Sequence, residues 1–185
     1  MARKPEYFRE LSPGHLARVA AYAVIVARRY GLSERELGLL ARAARLHDIG
    51  KLAVPGGILR KEGPLNGRER VEARKHTVYG ALMLQGDTNL LRMARMIALS
   101  HHERWDGSGY PLGLKGSRIP LHGQIVSIAD VFDALTSERS YKKPYSLDHA
   151  VRIIRSGRRG MFDPDVVRAF ARGLDAIAQV LSASS

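Results

Sequence analysis

Apolar residues recur every three or four positions through almost the whole chain, and no stretch alternates with period two for long. A sheet would have no strands to draw on, so the fold is expected to be all-α. Leu16, Val19, Ala20, Ala23, Val26 and Ala27 form one stripe of a helix over about residues 13–30, closed by Gly31. Ser33 and Glu36 have the spacing of a capping box. The helix they open carries Leu37, Leu40, Ala41, Ala44 and His47, and Gly50 is read as its stop. After a loop marked by Gly56, Gly57, Gly63 and Pro64, Asn66 and Glu69 open a helix to about Leu84, and another runs from about Asn89 to His102. Gly107, Gly109, Pro111, Gly113 and Gly116 make the next segment a turn-rich loop. Pro120 suits the first position of a long helix to about Ser137, Ser146 caps a shorter one, and Asp163 followed by Pro164 starts the last. The expectation is one helical bundle of about seven helices over residues 13–180, with a lead-in at 1–12 and a flexible tail at 181–185.

A length of 185 residues suits one domain at roughly 150 residues each, and a chain near this size builds its core without staples. There is no cysteine, so disulfides, thiolate zinc sites and cysteine nucleophiles are excluded. The longest uncharged apolar run, nine residues from Val19 to Ala27, is about half of the ~20 that a membrane-spanning helix needs. Glu6 and Glu10 sit where a secretory leader would be basic, so a cytoplasmic protein is expected. The formal charge of +12 attracts acidic or phosphorylated partners. Its arginines are scattered through every segment and form no block, so a nucleic acid is not favoured.

Five of the seven histidines, His15, His47, His76, His101 and His102, fall at helix ends or on inward faces. His122 and His149 lie beside polar residues and are read as surface groups. The carboxylates carry the argument. His47 is followed directly by Asp48, and Asp130 sits inside the apolar run Ile125, Val126, Ile128, Ala129, Val131 and Phe132. An ionised Asp on such a face is costly unless it is paired or binds a metal. An imidazole-rich set with two carboxylates and no sulfur suits Fe, Mn or Zn better than Ca or Mg, and five His with two Asp exceed what one ion can use. Two divalent ions are therefore expected, with phosphoester hydrolysis by in-line attack of a metal-bound hydroxide as the natural reaction.

HDIGK at residues 47–51, HHERWDGSGYP at 101–111 and IPLHGQIVSIADVFDALTSERSYKKP at 119–144 resemble the HD-GYP family, bacterial hydrolases of cyclic di-GMP within the HD phosphohydrolase superfamily. The resemblance runs from about His15 to Phe170. It implies an all-helical HD-type domain with a metal centre in its core, usually iron or manganese, that cleaves the cyclic dinucleotide to pGpG and in some members onward to GMP. It makes His15, His47, Asp48, His76, His101, His102 and Asp130 the metal ligands, with Asp48 as the bridge. Lys51 would reach from the metal edge to a substrate phosphate, and Arg139 and Lys142 would bind phosphates of the dinucleotide. Tyr110 and Pro111 would shape the substrate site on a loop held by Gly107 and Gly109 and braced by Asp106. Partners implied are cyclic di-GMP and a GGDEF-type cyclase or a sensory or receiver domain, with a homodimer left open.

Two departures stand out. Gln124 occupies a position where the family often has Arg. Leu11 stands four residues before His15, where members with a third metal tend to have Glu, so two ions are expected and not three. Two rival readings remain. An HD-type hydrolase of another cyclic dinucleotide, a nucleotide or a nucleic acid would keep the metal ligands without requiring the full GYP segment, Arg139 or Lys142. A non-catalytic cyclic di-GMP receptor or docking module would have lost ligands, and this chain retains the set.

Overall fold

Ser12 accepts the backbone N–H of His15 (3.3 Å) and Pro13 fills the first helical position, so α1 (Pro13–Tyr30) begins abruptly with His15 in its first turn. Gly31, at φ 110°, ends it in the left-handed conformation that glycine adopts most readily. The computed structural model describes residues 11–61, 63–138, 143–156 and 160–183, and no strand occurs among them. α2 (Glu34–Ala43) carries the expected capping box of Ser33 and Glu36. A four-residue turn of helix, α3 (Gly56–Leu59), is followed by α4 (Gly67–Arg74), which Asn66 and Glu69 cap reciprocally, and by α5 (His76–Met83). α6 (Asn89–Ser100) is capped by Thr88, and α7 (Leu121–Thr136) follows the glycine-rich loop. Ser146 caps α8 (Leu147–Arg155), Asp163 caps α9 (Pro164–Arg172), and α10 (Leu174–Ser182) comes last.

α1 is the axis of the bundle, packing against α2, α7, α9 and α10, while α6 fills the space between α2 and α7. Val19, Tyr22, Ala23 and Val26 of α1 are fully buried against Ile125, Ile128 and Phe132 of α7 and Phe170 of α9. Tyr22 meets Phe132 edge-on at 5.0 Å and Phe132 meets Phe170 at 5.4 Å, the preferred geometry for aromatic pairs. Burying side chains of this size contributes roughly 1.5–3 kcal/mol apiece, which makes α1 and α7 a stiff platform.

Three of the seven expected helices are subdivided. The helix read as running to Gly50 stops at Ala43, continues as a 3-10 turn over Ala44–Leu46, and gives way to a second 3-10 turn over Ile49–Ala53. Gly50 is therefore not a helix stop. A Cβ there would collide with the carbonyl of His76 and the amide of Gly80, so its role is to let the turn press its backbone against α5. The helix read from Asn66 to Leu84 breaks at Lys75, and the last breaks at Gly173. Pro120 occupies the cap of α7, one place before the expected first turn.

Candidate metal centre

Four histidines are aimed by their own Nδ1–H groups. His47 donates to the carbonyl of Ala44 (2.8 Å), His76 to that of Ala73 (2.8 Å), and His101 to those of Ile97 and Ala98 (3.1 Å each). His15 donates to Asp133 Oδ2 (2.8 Å), a carboxylate that also takes Arg18 Nε (2.6 Å) and Nη2 (3.0 Å) and the Ser137 hydroxyl (3.2 Å). With Nδ1 committed, each ring presents its Nε2 lone pair inward. All four Nε2 atoms, and Oδ1 of Asp48, are buried with no hydrogen-bond partner.

The unpartnered atoms face one another. Asp48 Oδ1 lies 3.3 Å from His76 Nε2 and 3.6 Å from His101 Nε2, while Oδ2 lies 3.3 Å from His47 Nε2. Asp130 Oδ1 approaches His15 Nε2 at 3.7 Å and His47 Nε2 at 4.0 Å. Ligand atoms of Asp48, His76, His101 and His102 form one group within 4.8 Å, and those of His15, His47 and Asp48 form another. Asp48 belongs to both. Lys51 donates to Asp48 Oδ2, but the four Nε2 atoms and Asp48 Oδ1 have no donor and repel each other unless a cation sits among them, so this cluster fits a divalent metal. Its nitrogen and oxygen donors, with no sulfur, are those of a borderline first-row ion.

The electrostatics divide the rings. Burial pushes His76 down to about 4 and holds His102 well below the ordinary imidazole range, which keeps both rings as neutral ligands. Burial also opposes charge on His47, but Asp48 and Asp130 beside it carry it up to about 9. Asp48 is held well below the carboxylate range by Lys51 and His47, against the pull of burial. Lys51 Nζ contacts Asp48 Oδ2 at 2.5 Å.

The GYP segment borders the cluster. The Tyr110 ring stacks on His102 at 4.8 Å and 26°, and the Tyr110–Pro111 peptide is cis. Asp106 Oδ1 accepts the N–H (2.8 Å) and hydroxyl (2.6 Å) of Ser108. Gly107 has φ 84°, and a Cβ on Gly109 would press on Glu103 Cα at 2.5 Å. Arg139 and Lys142 lie outside the described residues. Gln124 is buried, donating to the Ile119 carbonyl at 2.7 Å while its Oε1 has no partner. His149 is exposed and stacks on Tyr145 at 4.4 Å. His122 is not a surface group: it is half-buried, its Nε2 is enclosed, and burial lowers its pKa.

Two supporting residues escaped sequence reasoning. Asp133, only 2% exposed, orients His15, and its sequence signal was a second Asp three residues after Asp130 in the same apolar run. Glu103, 3% exposed, accepts the amides of Leu112 (2.7 Å) and Leu114 (2.9 Å) and so ties down the GYP loop. An acid directly after the paired histidines, ahead of a loop rich in unsatisfied amides, was its only signal.

Residues 8–166 match the signature of the HD domain. The chain belongs to the HD-domain family, and its resemblance to the HD-GYP branch holds. Among its relatives are the cyclic di-GMP phosphodiesterase response regulator RpfG of Xanthomonas campestris, 42% identical over 97% of this chain and 48% of that one. Another is the 3'3'-cGAMP-specific phosphodiesterase 2 of Vibrio cholerae, 44% identical over 83% of this chain and 30% of that one. The chain thus spans half or less of these relatives. Bd1817, an HDG"Y"P protein from Bdellovibrio bacteriovorus, shares the fold with a TM-score of 0.67 at 20% identity, over 87% of this chain and 51% of that one. No described helix is long and apolar enough to cross a membrane.

Proposed function

We propose that the chain hydrolyses cyclic di-GMP to pGpG, using two divalent ions, Fe or Mn ahead of Zn. The observation that carries this reading is the buried set of four His Nε2 atoms and Asp48 Oδ1 turned toward one another without a donor. We assign one ion to Asp48, His76, His101 and His102, and the other to His15, His47 and Asp48 together with Asp130. Ions so held would supply Lewis acidity toward a phosphoryl oxygen and would acidify a bound water into the neutral range.

The chain's own residues do the rest. Asp133 and Arg18 fix the tautomer of His15, and main-chain carbonyls fix the other three rings. Lys51 keeps Asp48 ionised and places an ammonium at the cluster, where a phosphate oxygen would find a positive charge. Tyr110, stacked on His102, walls the site on the GYP side. Arg139 and Lys142 are retained as phosphate contacts on the strength of the motif. With no cysteine in the chain, water is the nucleophile we assign. The response-regulator relative supports a receiver domain as the regulatory partner.

Hydrolysis of 3'3'-cGAMP is the second reading, favoured by the 44% identical Vibrio relative. Both are tested by incubating the purified chain with Mn(II), or anaerobically with Fe(II), and each dinucleotide in oxygen-18 water, then separating the products. We expect pGpG carrying one heavy oxygen on its 5′-phosphate after a single turnover. Turnover of 3'3'-cGAMP alone would move the substrate to the second reading. A chain with metal bound that cleaves neither would refute both.

A further inference from the structure

Arg74 ends α4, two residues before His76, and its exposed side chain lies at the rim of the histidine cluster. Its Cζ sits 4.8 Å from the centroid of the Tyr110 ring. That ring stacks in turn on His102 and meets His76 edge-on at 6.4 Å. A guanidinium, a phenol and an imidazole are thus layered from the solvent edge to the candidate ligands.

The surroundings of Arg74 differ from those of two nearby lysines. Lys75, the next residue, is paired with Glu72 at 2.6 Å, and Lys61 with Glu69 at 2.6 Å. Among the described residues no carboxylate pairs with Arg74. Stacking on an aromatic face engages the plane of a guanidinium and leaves its N–H edge directed at an incoming anion, which it can grip bidentately.

A cyclic dinucleotide carries two phosphodiesters. Only one can occupy the Asp48 centre at a time, and the other stays anionic and needs a cation of its own. Resting on the phosphodiesterase reading, we propose that Arg74, held by Tyr110, is a substrate-binding residue that takes the non-reacting phosphodiester of the cyclic dinucleotide. Lys51 then faces the reacting phosphate and Arg74 the resting one, which gives the GYP tyrosine a task as the mount for a second anion site.

The test is a steady-state comparison with metal content recorded for each protein. Losing one charge-assisted bidentate contact corresponds to about tenfold in affinity, so Arg74→Gln should raise KM for cyclic di-GMP about tenfold, with kcat within about twofold and metal content equal to wild type. Arg74→Lys, which keeps the charge and loses the fork, should fall between the two. Lys75→Gln removes the same charge one residue further on and should leave KM unchanged. An unchanged KM in Arg74→Gln, an equal rise in Lys75→Gln, or a parallel loss of kcat and metal would overturn the proposal. Equilibrium binding of cyclic di-GMP separates this proposal from the reading beneath it. A wild type that binds without hydrolysing, and whose Kd weakens tenfold in Arg74→Gln, would support Arg74 and refute the phosphodiesterase.

Discussion

Replacing Asp133 by Asn changes one atom and disturbs two separable properties. Asp133 Oδ1 accepts from Arg18 Nε, and Oδ2 accepts from His15 Nδ1 and Arg18 Nη2, at 2.6, 2.8 and 3.0 Å. An amide has one acceptor oxygen, so its NH2 must face either Arg18 or His15. In the second case His15 is driven to the other tautomer, and a proton points from Nε2 into the cluster. Two charge-assisted bonds at about 1.5 kcal/mol each give a loss of about 3 kcal/mol. Arg18 is 20% exposed and keeps some hydration, which sets this at the lower end of the roughly 3–5 kcal/mol for breaking a fully buried pair. For a domain of this size that corresponds to a fall in Tm of about 6–12 °C. Metal affinity should fall about 10–100-fold, the usual effect of losing a partner behind a ligating histidine.

Thermal melts by circular dichroism, with metal content by mass spectrometry, read the two losses apart. Replacing Arg18 and Asp133 together by Leu should recover part of the stability, since neither charge is left alone, without recovering the metal. Asp133 is also held below its ordinary value by His15 and Arg18, against burial. Its contribution is therefore complete above the unfolded value of about 3.9 and disappears as pH falls through the lower folded value. The stability gap between wild type and Asp133→Asn should close as pH drops below about 4. A variant with full metal content and a Tm within about 2 °C of wild type at neutral pH would refute the reasoning.

Asp48→Ala should leave less than one ion per chain by elemental analysis, because one carboxylate serves both ligand groups; retention of two ions would remove it as the bridge. Glu103→Gln keeps one acceptor for two amides, so hydrogen exchange at Leu112 and Leu114 should accelerate at least tenfold while α1 and α7 stay protected. Gly50→Ala drives a methyl into the His76 carbonyl and Gly80 amide, and a loss above about 2 kcal/mol in denaturant unfolding is expected; a neutral result would show that the turn can move away from α5.

What sequence could and could not tell divides by the reach of each contact. Ser33, Asn66, Ser146 and Asp163 cap helices through bonds two or three residues long, and each was legible from spacing alone. The seven candidate ligands were legible because an Asp on an apolar face and five inward histidines have little use in a bundle core apart from holding a cation. Asp133 was missed because its meaning comes from His15, 118 residues away. Gly50 was misread because a glycine that stops a helix and one that admits a neighbouring backbone look alike until α5 is in place. The break at Lys75 has no residue that forbids a helix; it turns the chain so that His76 faces Asp48.

The four ring alignments differ in where their information is stored. His47, His76 and His101 each lean on a carbonyl three or four residues earlier, so any segment that keeps its own turn keeps its imidazole pointed. His15 relies on a carboxylate 118 residues further along the chain. The ring alignments of His47, His76 and His101 are consequently encoded by short stretches, whereas that of His15 exists only while α1 and α7 remain docked. Loosening α1 from α7 would therefore disturb the alignment of His15 before that of the other three rings.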